Sequence, residues 1–190
     1  MALSLPIDPE ANALLNRSPL ALLMAMLLDQ QVPLERAFAA PYDLSRRLGH
    51  DPDAEELANY DPEALVAIFS ERPALHRYPK AMAARVQELC RILVEQYDGD
   101  GSRVWADVKT GKDLLKRVRG LPGFGEQKAK IFVSLLAKQY GVHPDGWREA
   151  AGTYGEEGSY RSVADIIDEP SLVKVRTHKQ QMKAAAKAKS

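Results

Sequence analysis

The sequence predicts an all-α fold, and three observations carry that expectation. Capping residues followed by proline or by apolar repeats of three and four recur along the 190 residues. No run alternates apolar and polar residues as a half-buried strand does. Glycine and proline clusters fall between stretches long enough for helices, about nine or ten of them. The first clear element starts at Ser18-Pro19, an N-cap followed by proline at the first helical position, and its apolar run to Leu28 reads as a helix buried nearly all round. Pro33 and Pro41 punctuate the next stretch, so the pattern predicts only a short helix from Tyr42 to Gly49. Asp53 and Asp61 suit N-caps, the latter with Pro62 behind it. Between Ala81 and Tyr97, Met82, Val86, Leu89, Leu93 and Tyr97 form one apolar stripe. After the turn Asp98–Ser102, helices are expected at Asp113–Arg119, Glu126–Tyr140, Ser162–Asp168 and Ser171–Ala188.

Length and composition exclude several classes. At ~150 residues per domain the chain amounts to roughly 1.3 domains, one compact body or two small lobes. Hydrophobic residues are 45% and charged residues 27%, which is ordinary for a globular protein. The single Cys90 excludes an internal disulfide framework, a four-cysteine zinc site and a four-cysteine iron–sulfur cluster. The longest apolar run, Leu20–Leu28, is about half of the ~20 residues that span a bilayer. The N-terminus has no basic stretch before an apolar core, so a cytoplasmic location without membrane association is the expectation.

Net charge is zero, but its distribution is uneven. Residues 1–75 carry 12 acids and 5 bases, residues 76–140 carry 7 acids and 13 bases, and residues 141–190 carry 7 and 8. Six Lys/Arg and no acid lie between Lys174 and Ser190. Such a field suits a polyanion on one side of the molecule, although a solvated face and a lysine-rich tail give the same count.

The most informative segment runs from Lys112 to Lys130. One helix stops at Gly120, Leu121-Pro-Gly-Phe-Gly125 makes a tight connection, and a second helix begins at once. With no side chain at Gly123 and Gly125, peptide N–H groups at a helix start are open to an anion, and Lys128 and Lys130 follow within the first turns. That combination suits a nucleic-acid phosphate; a plain αα-hairpin uses glycines for the turn alone.

Leu121-Pro-Gly-Phe-Gly125 before a helix resembles the helix-hairpin-helix motif of the helix-hairpin-helix/Gly-Pro-Asp superfamily of base-excision DNA glycosylases, in particular its endonuclease III branch. In that branch an essential aspartate lies 24 residues after the hairpin leucine, and that count from Leu121 reaches Asp145, in Val142-His-Pro-Asp-Gly-Trp147. Leu27-Leu-Asp-Gln-Gln-Val-Pro33 and Arg77-Tyr-Pro-Lys-Ala81 also resemble family segments. The resemblance covers about residues 15 to 150. It implies two helical lobes: residues 18–138, with the helix-hairpin-helix at 112–140, and residues 1–17 plus 139–190 with a basic C-terminal segment. It implies double-stranded DNA as partner, a nucleoid-associated monomer, and a monovalent cation held by hairpin carbonyls.

The departures define the expected chemistry. Bifunctional relatives carry a nucleophilic lysine six residues after the hairpin leucine; here that position is Gln127, whose amide cannot form a Schiff base. Lys128 stands about 100° round the helix from it. The cluster cysteines of many relatives are missing, so no iron–sulfur cluster is expected. The resemblance therefore implies a monofunctional N-glycosylase with Asp145 as catalytic carboxylate, Gly123, Gly125, Gln127, Lys128 and Lys130 on the DNA, and Gln30 and Gln31 entering the minor groove where a base is extruded. No other His, Cys, Asp or Glu spacing supports a metal site. Asp145 also reads as a turn residue capping a helix from Trp147. The rival function is a helix-hairpin-helix DNA-binding protein that has lost the chemistry.

Overall fold

The computed structural model describes residues 3–190. Among them the α-class expectation holds: ten α-helices, no strand, and one isolated bridge between Thr110 and Asp145. No single helix there is long and apolar enough to cross a membrane. The chain divides into two compact units.

The larger unit comprises residues 7–107 and 119–125. It contains α1 (Pro9–Arg17), α2 (Pro19–Leu28), α3 (Leu34–Leu48), α4 (Ala54–Asn59), α5 (Pro62–Ser70) and α6 (Pro79–Tyr97). Its caps are those the residue types dictate. Asp8, Ser18, Asp53 and Asp61 each accept a backbone N–H of the first helical turn, at 2.9, 3.1, 2.8 and 2.9 Å. Helix α2 is the core: every residue from Ala21 to Leu28 is buried, and α1 and α3 pack on it. Burial of a leucine of this kind contributes about 1.5–3 kcal/mol. The α6 stripe Met82, Val86, Leu89 and Leu93 is buried against α4 and α5. Cys90 is fully buried, and that burial pushes its thiol up to about 12, with the charge of Asp53 adding to it.

The smaller unit comprises residues 3–6, 108–118 and 126–190. It contains most of α7 (Gly111–Arg119), then α8 (Glu126–Tyr140), α9 (Trp147–Ala151) and α10 (Glu169–Ala188). Two short 3-10 turns, Gly152–Gly155 and Val163–Asp165, pack on α8. Lys138 of α8 meets Asp165 at 2.6 Å in an ion pair that leaves the carboxylate 4% exposed. The same carboxylate accepts the Arg161 N–H at 2.8 Å, so its lone pairs are shared between a cation and the backbone. Ser134, also buried on α8, donates its hydroxyl to the Tyr154 carbonyl at 2.6 Å and fixes the Gly152–Gly155 turn.

Several expectations are corrected. Pro41 does not break the chain; it lies buried inside α3, which runs from Leu34 to Leu48. The loss of one helical N–H is offset there by packing on both sides of the helix. Ser162–Asp168 forms only the single 3-10 turn, because Asp165 is turned inward to Lys138. Helix α1 has no counterpart among the sequence expectations. The lobe boundaries also differ from those the resemblance implied: α1 packs on α2 and α3 and so joins the larger unit, whereas α8 packs on α9 and the two 3-10 turns and joins the smaller one.

Candidate nucleic-acid interface

In the larger unit, the hairpin loop rests on the end of α2. Leu121 and Phe124 are buried, 3% and 4% exposed, while Gly123 and Gly125 between and beside them are exposed. The Phe124 N–H donates to the Leu121 carbonyl at 3.2 Å and closes the turn. The N–H groups of Gly123 and Gly125 donate to no acceptor among the described residues. The two glycines differ in kind. Gly123 has φ +80°, and a Cβ there would run into the Leu27 side chain, so the loop needs glycine to lie on the core. Gly125 has open space where its side chain would be and no positive φ. Its bareness serves nothing inside the protein, which is what close approach by an external phosphate requires.

Just beyond α2, Gln30 and Gln31 lie in one exposed bend of the same unit but have different surroundings. The Gln30 amide donates to the Leu27 carbonyl at 3.0 Å, and its oxygen accepts from Arg85 at 3.4 Å. Gln31 is exposed and sits at φ +58°, in the left-handed region that a residue with a side chain adopts at a cost. The bend is held from beneath by His76, 1% exposed. Its Nε2 lies 3.0 Å from the Leu28 carbonyl and 2.9 Å from the Gln30 carbonyl, while Nδ1 accepts the Tyr78 N–H at 3.0 Å. Two carbonyls at Nε2 and a donor at Nδ1 fix a neutral ring with its hydrogen on Nε2. Sequence reasoning missed His76, since a lone histidine carries no spacing signal. Tyr78, 42% exposed, stands beside it, with the Arg77 guanidinium 5.4 Å from its ring centre.

In the smaller unit, the first turns of α8 carry Gln127, Lys128 and Lys130. Lys130 pairs with Glu126 one turn back at 3.5 Å, an exposed contact that holds it only weakly. Lys128 is half-buried. The Gln127 amide donates to the Tyr154 hydroxyl at 2.9 Å, a partnership with no sequence signal.

Asp145 lies in the same unit, on the bridge with residues 109–111. Its N–H donates to the Lys109 carbonyl at 3.0 Å, and its own carbonyl accepts the Gly111 N–H at 2.7 Å. The backbone is thus gripped on both sides. The side chain is exposed, and its carboxylate has no hydrogen bond or ion pair among the described residues. The capping alternative fails: α9 starts at Trp147 behind Gly146, with no side-chain cap. Gly111 is the residue that permits the grip. A Cβ there would stand 2.5 Å from the Trp147 Cα and 2.7 Å from the Gly146 carbonyl oxygen. A glycine directly behind the capping Thr110, whose hydroxyl accepts the Asp113 N–H at 3.1 Å, was the available hint of that close approach. The Trp147 ring is already engaged, stacked with His143 at 6.1 Å and with Arg148 4.4 Å above it. Two cavities flank α10, of about 470 and 410 Å³; Gln127 lines the smaller, and Asp145 lines neither. No group of three or more His, Cys, Asp or Glu among the described residues is placed to hold a metal ion.

A family model described as "HhH-GPD superfamily base excision DNA repair protein" matches residues 24–187. No curated protein and no solved structure gives a match.

Proposed function

The chain belongs to the HhH-GPD superfamily of base excision DNA repair proteins, and from that premise we propose that it is a monofunctional DNA N-glycosylase acting on double-stranded DNA. The observation that carries the DNA reading is the exposed hairpin, whose Gly123 and Gly125 N–H groups have no acceptor among the described residues and whose Gly125 leaves open space. Those donors take a backbone phosphate, with α8 starting at the next residue. In the same unit the exposed, left-handed Gln31 is the residue for the gap left by an extruded base, with Gln30 bonded to the end of α2 beside it. Gly123 is chiefly a structural requirement of the loop, and Lys128 and Lys130 add cationic attraction along α8.

Asp145 is the candidate catalytic residue. As the N-glycosidic bond breaks, its electron pair leaves with the base and positive charge grows on the sugar. An ionised Asp145 stabilises that charge; water then adds to the sugar carbon and gives its proton to the carboxylate, while the departing base takes a proton from solvent. A fixed backbone and an unshared carboxylate suit this role. With Gln127 in place of an amine, no Schiff base forms and the strand stays intact. The test is a panel of duplexes, each with one damaged or mismatched base. Base release from at least one of them, lowered about a hundredfold or more in Asp145→Asn, is the expected result. Tight duplex binding without release of any base supports the second reading, a DNA-binding protein without chemistry, which the position of Asp145 outside both cavities favours. Binding that does not weaken steeply with salt removes both readings.

A further inference from the structure

Helix α10 outlasts the core it packs on. Ser171, Leu172 and Val175 are its buried residues, and none from Arg176 to Ser190 is buried. The helix nevertheless runs on to Ala188. Its second half holds itself without packing, because lysine, glutamine, methionine and alanine, all strong helix formers, are the only residue types from Lys179 to Ala188. A stretch of helix that covers no core of its own chain has its whole surface available to something outside it.

The charge on that surface has one sign and one side. No Asp or Glu occurs from Pro170 to Ser190. Lys179, Lys183 and Lys187 stand four residues apart, which puts them on one face, and Arg176 begins the same row. All four are exposed, and the three lysines have no ion pair among the described residues. Like charges at that spacing work against the helix, and a face that meets only solvent gains from acids set between its lysines. Here the row is left uncompensated. From Lys179 to Lys187 it covers about 12 Å of helix. Duplex DNA presents one negative charge per about 1.7 Å of its axis, so each lysine on its flexible stem has a phosphate within reach. An anionic membrane would call for a broad apolar face beside the charge, and Met182 is the single large apolar side chain from Arg176 onward.

We propose that the C-terminal half of α10 is a second DNA contact, a basic arm laid on the phosphates of a duplex by the face that carries Arg176, Lys179, Lys183 and Lys187. This rests on the reading of the protein as one that handles DNA. The arm reads no base. It adds affinity that is the same for damaged and undamaged duplex, and so holds the protein on DNA that offers the rest of the chain nothing to recognise.

The experiment uses the full chain and an undamaged duplex, with the association constant read by fluorescence anisotropy over a series of salt concentrations. One variant combines Lys179→Gln, Lys183→Gln and Lys187→Gln. A second adds Gln181→Lys, Ala185→Lys and Ala188→Lys to those three, which restores the net charge on the opposite, equally exposed face of the helix. The first should make the slope of log K against log salt shallower by about two to three, the contribution of three neutralised phosphates. The second should stay shallower than wild type. A wild-type slope in the first variant overturns the proposal. So does a wild-type slope in the second, which would mean that charge counts and its face does not. Loss of binding to phosphatidylserine vesicles in the first variant, with its DNA slope unchanged, assigns the arm to a membrane surface and overturns it too. The DNA reading fails separately. A wild-type chain that binds no duplex removes both, whereas weakened binding in Gly125→Ala with wild-type behaviour in both α10 variants leaves the hairpin standing and removes the arm.

Discussion

Two glycines, two residues apart, make opposite demands. Gly123 combines φ +80° with a Cβ position already occupied by Leu27, so Gly123→Ala should lower stability by about 1–3 kcal/mol, the range of backbone strain and core overpacking, read by thermal or urea unfolding. Gly125→Ala meets open space at an ordinary backbone angle. It should leave the unfolding midpoint nearly unchanged and weaken duplex DNA binding. Affinity equal to wild type in Gly125→Ala would remove the phosphate role of the hairpin. The sequence named both glycines for one reason, bare main chain, and could not tell them apart, because the difference lies in Leu27, ninety-six residues earlier. The same limit explains His76, Gly111 and Tyr154. Each acts through a partner distant in sequence or through backbone approach, and neither leaves a local pattern.

Helices were legible where ends and faces are chemically marked. Asp53, Asp61 and Ser18 cap the elements they announce, and α8 runs from Glu126 to Tyr140 as its pattern implies. Illegible were features that tertiary contacts impose, such as Pro41 inside α3 and the single turn around Asp165. The best-marked start is that of α10, where Asp168 accepts the Ser171 N–H at 2.8 Å and Ser171 returns its hydroxyl oxygen to the Asp168 N–H at 3.0 Å. The Ser171 side chain, then its N–H, holds the Asp168 carboxyl below its ordinary value of 3.8. A depressed folded pKa means that the stabilisation is present above the unfolded value and is lost as pH falls through the folded one. Asp168→Ala should therefore speed amide exchange along α10 at neutral pH, and the difference should shrink as pH falls below the ordinary carboxylate value of 3.8, where wild type also begins to lose its charged cap. A difference independent of pH would show that the carboxylate charge plays no part.

At the scale of the molecule, the uneven charge and the all-α class were legible, and the unit boundaries were not, because they depend on which helices bury one another. Cys90 reports on the larger unit as a whole. It is completely buried in α6 and its thiol titrates far above neutrality, so a thiol reagent at pH 8 should label native protein on the order of a thousandfold more slowly than urea-unfolded protein. Rapid labelling of the native chain would mean that α6 opens locally without the rest. The larger unit is also built from two separate stretches, residues 7–107 and the seven residues 119–125, and Leu121 and Phe124 of the second stretch are buried. A chain stopped anywhere between 107 and 120 would keep all six helices of that unit yet leave the end of α2 uncapped to solvent, a sticky surface around Leu27. The segment proposed to meet DNA thus doubles as a plug, and its loss by truncation or proteolysis would surface as aggregation before it could be read as a defect in repair.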